Sequence, residues 1–541
     1  MEKRLLLAAA LSLGILILWE SFAPKPLKRT VAVPTPVAAA LASTPTPLPE
    51  TVAPAKPASA PEAASAESEE TLSNAVFKAR FSNRGAVLKS VVLTSHLDDQ
   101  QRPLELVPAL PPELPHPLGL DFGKDVELTR RIGGALFVAE RGESDRVLRF
   151  RYADASISVT KEIRIGSGYL FDVKVSVAGP PYSLLVGPGL RNPSDRERAS
   201  RYVMPATAVA ATTEGIKLAR PEKASGQEWA IPARGFAGLE DSYFLEAIIP
   251  KTATVARVFS FSVPRPDGKP VVEIATGVSG QGTLDASAFF GPKDVSILES
   301  YGVGLERTVD FGWYGILARP LLWMLKKAYA FAGNYGLAIL VVTFVIRLLL
   351  FPLTAKSYAS MKKMQKLAPK MTAIRDKYKK SKTDAAQRQK MNAELMALYQ
   401  SEGYNPMSGC LPIVLQLPIL VAFYNVLSRS IELRHAPFVF WIKDLSAIDS
   451  SYILVILMIV SMYVQQAMTP STMDPAQKKI FMFMPVVWGF FLKDMPSGLV
   501  LYWLFSNLLT IVQQLVMNRI VKDDSAPPPK VSAKALKQAR A

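Results

Sequence analysis

The chain has 541 residues, more than one ordinary domain, and 49% of them are hydrophobic. Lys and Arg number 63 against 46 Asp and Glu, a formal net charge of +17. The basic residues gather beside apolar runs, which points to cytoplasmic loops of a membrane protein before it points to nucleic acid. A single cysteine, Cys410, excludes an intramolecular disulfide and multi-cysteine metal sites, and three histidines leave little for acid/base chemistry.

Lys3 and Arg4 precede an apolar run from Leu5 to Phe22. Residues 1–23 read as a retained N-terminal transmembrane anchor rather than a cleaved signal. The small residues Ser21 and Ala23 are followed directly by Pro24, which disfavours cleavage. Residues 24–70 are rich in Pro, Ala, Ser and Thr and read as a disordered or polyproline-like linker. From 71 to 308 short alternating apolar runs, such as SISVTKEIRIGSGYLFDVKVSV and KPVVEIATGV, are broken by Gly, Pro, Asn and Asp. They predict a large antiparallel β-sandwich outside the cytoplasm. Its acidic residues are scattered, and Asp241 has no neighbouring His in the sequence.

Residues 309–332 form an amphipathic segment, with Trp313, Leu317, Leu321, Trp323 and Leu325 set against Arg319, Lys326 and Lys327. Trp at the boundary and Lys on the polar side suit a helix lying in the membrane interface, with Pro320 in the first turn of its main helical part. Residues 333–520 hold five further apolar runs. The first, Tyr335 to Leu353, carries Arg347 in its interior. A basic segment over 356–402 predicts a cytoplasmic helical hairpin, with Asp384 and Gln387 as a capping box at its polar break. Its methionines, among them Met364 and Met371, suit either an adaptable seam between two helices or a surface for apolar segments.

The second run, Asn405 to Leu427, contains Pro412 and Pro418, and the third spans Ser451 to Met468. The fourth, Ile480 to Leu492, is 13 residues, or ~20 Å of helix against a hydrocarbon core of ~30 Å. Lys478 and Lys479 precede it, and Arg519 and Lys522 flank the end of the fifth run, Gly498 to Ile520. With both basic groups inside, the last two runs must each cross, and the fourth thins the bilayer or leans on snorkelling lysines. Residues 521–541 are a basic, Pro-containing tail read as disordered. The expectation is a polytopic α-helical membrane protein with six transmembrane helices and both termini cytoplasmic.

Arg347 is the one ionisable residue predicted in the interior of a span. A charge at a helix centre costs ~2.5 to 3.5 kcal/mol even on a lenient scale, so it requires a partner or water. It lies toward the cytoplasmic half and could snorkel. Its company supports another reading. Thr343 precedes it by one turn, and the other runs supply Gln416, Asn425, Gln465, Gln466, Asn507, Thr510, Gln513 and Gln514 without a carboxylate. Neutral polar groups around one guanidinium suit a wet cavity open to the cytoplasm that attracts anions or acidic side chains. The same groups could instead be hydrogen bonds between helices.

The stretches FGWYGILARPLLWML, NYGLAILVVTFVIRLLLFPLT, SMKKMQKLAPKM, NPMSGCLPIVLQLPILVAFYNVL, APFVFWIKDLSAID and MPSGLVLYWLFSNLLTIVQQ occur in that order. Through them the chain from Phe311 to Asn518 resembles the YidC/Oxa/Alb membrane protein insertases. The whole layout resembles the Gram-negative bacterial branch, more loosely in the β region at FSNRGAVLKSVVL, TKEIRIGSGYLFDVKV and FFGPKD. The resemblance implies a periplasmic β-supersandwich and a five-helix insertase core with a hydrophilic groove facing the cytoplasm. In that family the groove arginine falls on Arg347, its threonine on Thr343, and its aromatic on Tyr502 or Trp503. Trp503 stands where relatives can carry a second tyrosine.

The family's hydrophobic slide falls on the runs holding Ile419, Phe423, Met482, Met484 and Trp488. The resemblance implies no enzyme activity, no cofactor, no metal and no specific nucleic-acid site. Its implied partners are nascent membrane proteins, the ribosome, the Sec translocon and membrane lipid, and its implied location is the bacterial inner membrane. The alternative is an anion or ion-coupled solute transporter using Arg347. Such carriers commonly show internal repeats, and none is evident in the sequence.

Overall fold

The computed structural model describes residues 61–520 apart from 110, 112, 195–196, 199–202, 225, 264–270, 379–384, 403–410 and 470–474. The expected anchor over 1–23, the linker as far as residue 60, Asp384 of the expected capping box and the tail over 521–541 lie outside the described residues. The chain divides into two compact units, one mainly of strands and one of helices.

In the first unit the described strands form three antiparallel sheets. The four-stranded sheet runs Glu69–Ser73, Phe77–Ser82, Val87–Leu97, Pro103–Glu105 in chain order. A five-stranded sheet has the order Glu228–Ile231, Thr254–Val263, Val271–Gly280, Tyr182–Val186, Leu120–Asp121. The nine-stranded sheet has Phe244–Pro250, Thr283–Pro292 and Leu170–Ala178 at its centre. Leu170–Ala178 alternates between buried and open positions, as a strand with one covered face must, whereas Phe244–Pro250 is buried at every position. Period-two patterning therefore announced strands with one covered face, whereas Phe244–Pro250 reads as an apolar run interrupted by the buried Glu246.

The chain joins this domain ahead of residue 71. Glu62 bridges Ala153 through the backbone, and its carboxylate pairs with Arg151 at 2.9 Å. Charge is also built into the interior. Arg191 pairs with Asp241 and Glu197, each at 2.5 Å, and Lys293 pairs with Glu240 at 2.9 Å. Asp241 in addition accepts from the Tyr243 and Phe244 amides, so its role is to close a turn. The buried Lys161 ammonium donates to the carbonyls of Gly85, Ala86 and Leu118 at 3.0, 2.9 and 2.7 Å. All three acceptors have positive φ, a conformation unfavourable for Ala86 and Leu118, and the lysine pins these loops onto the sheet. The unit also carries the short helices α1 (Val126–Gly134) and α2 (Val295–Ser300), each capped by an aspartate.

The second unit is helical, beginning in α3 (Gly315–Ala332). Pro320 lies inside α3 rather than in its first turn, because the helix starts at Gly315. Next come α4 (Tyr335–Lys366), α5 (Ala368–Lys377), α6 (Ala385–Ser401), α7 (Leu411–Arg429), α8 (Ile453–Met468), α9 (Pro475–Leu492) and α10 (Ser497–Ile520). Among the described residues α4 and α10 are long and apolar enough to cross a membrane, and α8 is a shorter apolar helix. α4 continues unbroken for 32 residues, so the end of the apolar run and the first part of the basic segment share one helix.

α5 and α6 pack through Leu367, Met371 and Leu395, with Met391, Leu398 and Tyr399 against them. Ion pairs Lys370–Glu402 and Lys377–Glu394, at 2.6 and 3.0 Å, cross the same hairpin. Met371 thus belongs to a seam between helices. α9 extends the 13-residue apolar run N-terminally to 18 residues, or ~27 Å of helix, with Lys478 and Lys479 exposed near its start.

Candidate functional site: a guanidinium held by neutral oxygens

α10 lies between α4 and α8, and its polar residues sort by heptad spacing onto two seams. Ser506 and Gln513, seven apart, face α4, where Gln513 Nε2 donates to Thr354 Oγ1 at 2.5 Å. Asn507 and Gln514, also seven apart, face α8. Their amides donate to Ser461 Oγ at 3.0 Å and Thr469 Oγ1 at 2.9 Å. A seven-residue repeat keeps one stripe on one neighbour, so two adjacent repeats serve two neighbours. Asn507, Gln513 and Gln514 are thereby committed to holding helices together. Thr510 bonds back to the Ser506 carbonyl at 2.8 Å.

On the α4 seam Arg347 Nε donates to Ser506 Oγ at 3.0 Å, and a second guanidinium nitrogen donates to the same oxygen. Tyr502 precedes Ser506 by one turn and so shares its face. The Tyr502 hydroxyl receives a hydrogen bond from Gln416 Nε2 of α7, and it also lies near Arg347 and Ser506. The Tyr502 ring stacks on Phe423 of α7, with centroids 4.2 Å apart and planes at 20°. Three helices thus meet in one cluster, in which the Ser506 hydroxyl holds the cation, the Tyr502 phenol lies beside it, and the Gln416 amide is joined through Tyr502. Among the described residues no carboxylate pairs with Arg347. The guanidinium carries five N–H donors, and the described hydrogen bonds direct its Nε and one further nitrogen to Ser506 Oγ.

The remaining expected site residues divide. Thr343 is buried beside this cluster in sequence only, since its hydroxyl donates to the Ile339 carbonyl of its own helix at 2.6 Å. Asn425 and Gln465 are half-buried, and no described hydrogen bond joins them to the Arg347 cluster. Of the two aromatic candidates Tyr502 is the one at the cluster. Trp503 points to α9, its ring 5.6 Å from that of Trp488.

The expected slide is also split. Met482 is exposed on α9 with Phe481, Phe483, Phe490 and Phe491, whereas Met484, Trp488 and Ile419 are half-buried. Phe423 is placed differently from these. It is fully buried beneath Tyr502, because its place two turns after Gln416 puts both on the face of α7 that meets α10. Ser506 was missed by sequence reasoning. The signal was available in its i+4 relation to Tyr502, but a serine in an apolar helix ordinarily bonds back to its own backbone. Among the described residues no group of three or more His, Cys, Asp or Glu is placed to hold a metal ion.

Residues 327–524 match the family described as 60Kd inner membrane protein, and residues 70–324 match the YidC periplasmic domain. A protein of Syntrophus aciditrophicus named membrane protein insertase YidC is 35% identical over 96% of this chain and 100% of its own length. The chain belongs to the YidC membrane protein insertase family. A YidC insertase of Pelobacter propionicus is 35% identical over 97% of this chain and its entire length. One of Geobacter sulfurreducens reaches 45% over 54% of each chain. A solved structure of active YidC insertase with its first transmembrane domain resolved covers 84% of this chain and 93% of that one, at 18% identity and a TM-score of 0.37. YidC membership makes the chain an inner membrane protein whose strand-rich unit is the periplasmic domain.

Proposed function

We propose that this YidC-family chain is an insertase that moves nascent hydrophobic segments from the cytoplasm into the inner membrane. The observation that carries the reading is Arg347, held by Ser506 beside Tyr502 and Gln416 with no carboxylate partner among the described residues. In this reading six helices span the membrane, the anchor over 1–23 included, and both termini are cytoplasmic. Arg347 and its polar neighbours receive the hydrophilic tail of an incoming segment and lower its desolvation cost. The apolar part then moves along the Met- and Phe-rich face of α9 into lipid, driven by burial at ~25 cal/mol per Å². The membrane potential adds ~2.3 kcal/mol per charge per 100 mV and favours outward movement of an acidic tail. Neither an enzymatic step nor a cofactor is required. Ribosomes, the Sec translocon and lipid are the partners that such work would engage.

The test is site-specific photocrosslinking at Met482 and Met484 during synthesis of a membrane protein client. Capture of nascent apolar segments is the expected result. Labelling by soluble solutes alone would reject the reading in favour of a solute carrier.

A further inference from the structure

The connection between α7 and α8 ends in an exposed aromatic tip that the groove does not use. Phe440 is 89% exposed, with Val439 and Trp441 at 40% and 38%. The rings of Phe440 and Trp441 stack with centroids 6.0 Å apart. Water disfavours such a patch, yet the backbone holds it outward. Phe438 N–H donates to the Ile442 carbonyl at 3.0 Å, and Ile442 N–H donates to Val439 at 3.2 Å. Phe440 itself sits at φ +56°, a left-handed conformation that a bulky residue holds only when its surroundings impose it.

Both flanks of the tip are fastened to the helical unit. The Asn334 amide donates to the Pro437 and Phe438 carbonyls at 3.1 and 3.3 Å, while its Oδ1 caps α4 by accepting from Leu337 N–H. The Phe438 ring lies so close over the first turn of α4 that a Cβ on Gly336 would come within 2.0 Å of it. On the other flank Ser497 Oγ donates to the Asp444 carbonyl at 2.7 Å, and Gly498 N–H donates to Leu445 at 2.9 Å. The tip is therefore fixed to the N-terminal ends of α4 and α10, both long and apolar enough to span. A rigid aromatic pair at that height stands where hydrocarbon meets headgroups, the depth that amphipathic rings favour. Lys443, exposed two residues further on, suits the phosphates at the same level.

We infer that the turn over residues 437–442 is a lipid-docking wedge, with Phe440 and Trp441 entering the headgroup boundary of the leaflet at the N-terminal ends of α4 and α10. It fixes the depth of the helical unit in that leaflet. The inference rests on α4 and α10 crossing the bilayer and not on the handling of clients, so the two readings fail separately.

The test uses the full chain carrying Cys410→Ser and Phe440→Cys, labelled with an environment-sensitive fluorophore and reconstituted into phosphatidylethanolamine/phosphatidylglycerol vesicles. Val439→Cys gives a second position, and Lys251→Cys, exposed on the periplasmic domain, gives the aqueous reference. The expected result is blue-shifted emission, iodide quenching several-fold weaker than at the reference, and strong quenching by lipids bearing a nitroxide near the headgroup. Iodide quenching equal to the reference at both positions overturns the inference. Iodide protection without quenching by the nitroxide lipids also overturns it, since protein rather than lipid would then cover the tip.

Discussion

Arg347 and Ser506 can be separated by substitution, because one carries charge and the other only accepts a hydrogen bond. Ser506→Ala removes the oxygen that receives two guanidinium N–H groups. Hydrogen bonds between membrane helices are worth ~0.6 to 2 kcal/mol, and in the proposed groove water takes over the lost contacts. The expected cost is therefore about 1 kcal/mol in denaturant unfolding of the micellar protein, with insertion of acid-tailed clients near wild type. Arg347→Gln keeps a polar side chain but removes the charge. A pair of unit charges ~4 Å apart is worth up to ~4 kcal/mol at an effective dielectric of about 20, and water in an open groove screens part of it. Retaining even ~1.4 kcal/mol corresponds to tenfold. Arg347→Gln should thus lower insertion of acid-tailed clients about tenfold in a proteoliposome protease-protection assay and leave neutral-tailed clients unchanged. The reasoning fails if Ser506→Ala costs insertion as much as Arg347→Gln does, or if both client classes suffer equally.

Arg191→Met takes the cation away from the buried Asp241 in the interior of the periplasmic domain. Breaking such a buried group costs ~3 to 5 kcal/mol, so a large fall in the denaturation midpoint of that domain is expected, and an unchanged midpoint would contradict the arrangement. Burial pushes the Lys161 ammonium down to about 7, whereas an unfolded lysine titrates near ~10.4. Between about pH 7 and 10 the unfolded chain binds more protons, so raising the pH favours the folded state. Stability measured relative to a Lys161→Met variant should rise across that window, and a flat difference would exclude the buried lysine as its source. Gly336→Ala drives a methyl group into Phe438 and should cost ~1 to 3 kcal/mol in thermal unfolding of the full chain, an effect that Phe438→Ala in the same chain would relieve.

The architecture was largely legible in the residues because each environment imposes its own periodicity. Strands with one covered face alternate, as Leu170–Ala178 does, and apolar runs with basic flanks announce membrane helices. Boundaries were less legible. α9 begins five residues before its apolar run because exposed lysines extend a helix without adding to its hydrophobic signal. The chain joins the periplasmic domain at Glu62 through one backbone bridge and one ion pair, too little to leave a pattern.

At the site, Arg347 stands out from sequence alone, since a lone charge in an apolar run has few inexpensive explanations. Which polar residues accompany it was a tertiary matter. Gln416, Asn507 and Gln513 look equivalent along the chain, but a rotation of one residue on α10 separates the seam toward α4 from the seam toward α8. Helix rotation and pairing are set by packing between elements far apart in sequence, and no local spacing records which neighbour a stripe will meet. The sequence therefore determined that a charge sits in a membrane helix. The tertiary structure alone decided that Ser506, Tyr502 and Gln416 gather around it, while Thr343 and Asn507 turn to other partners.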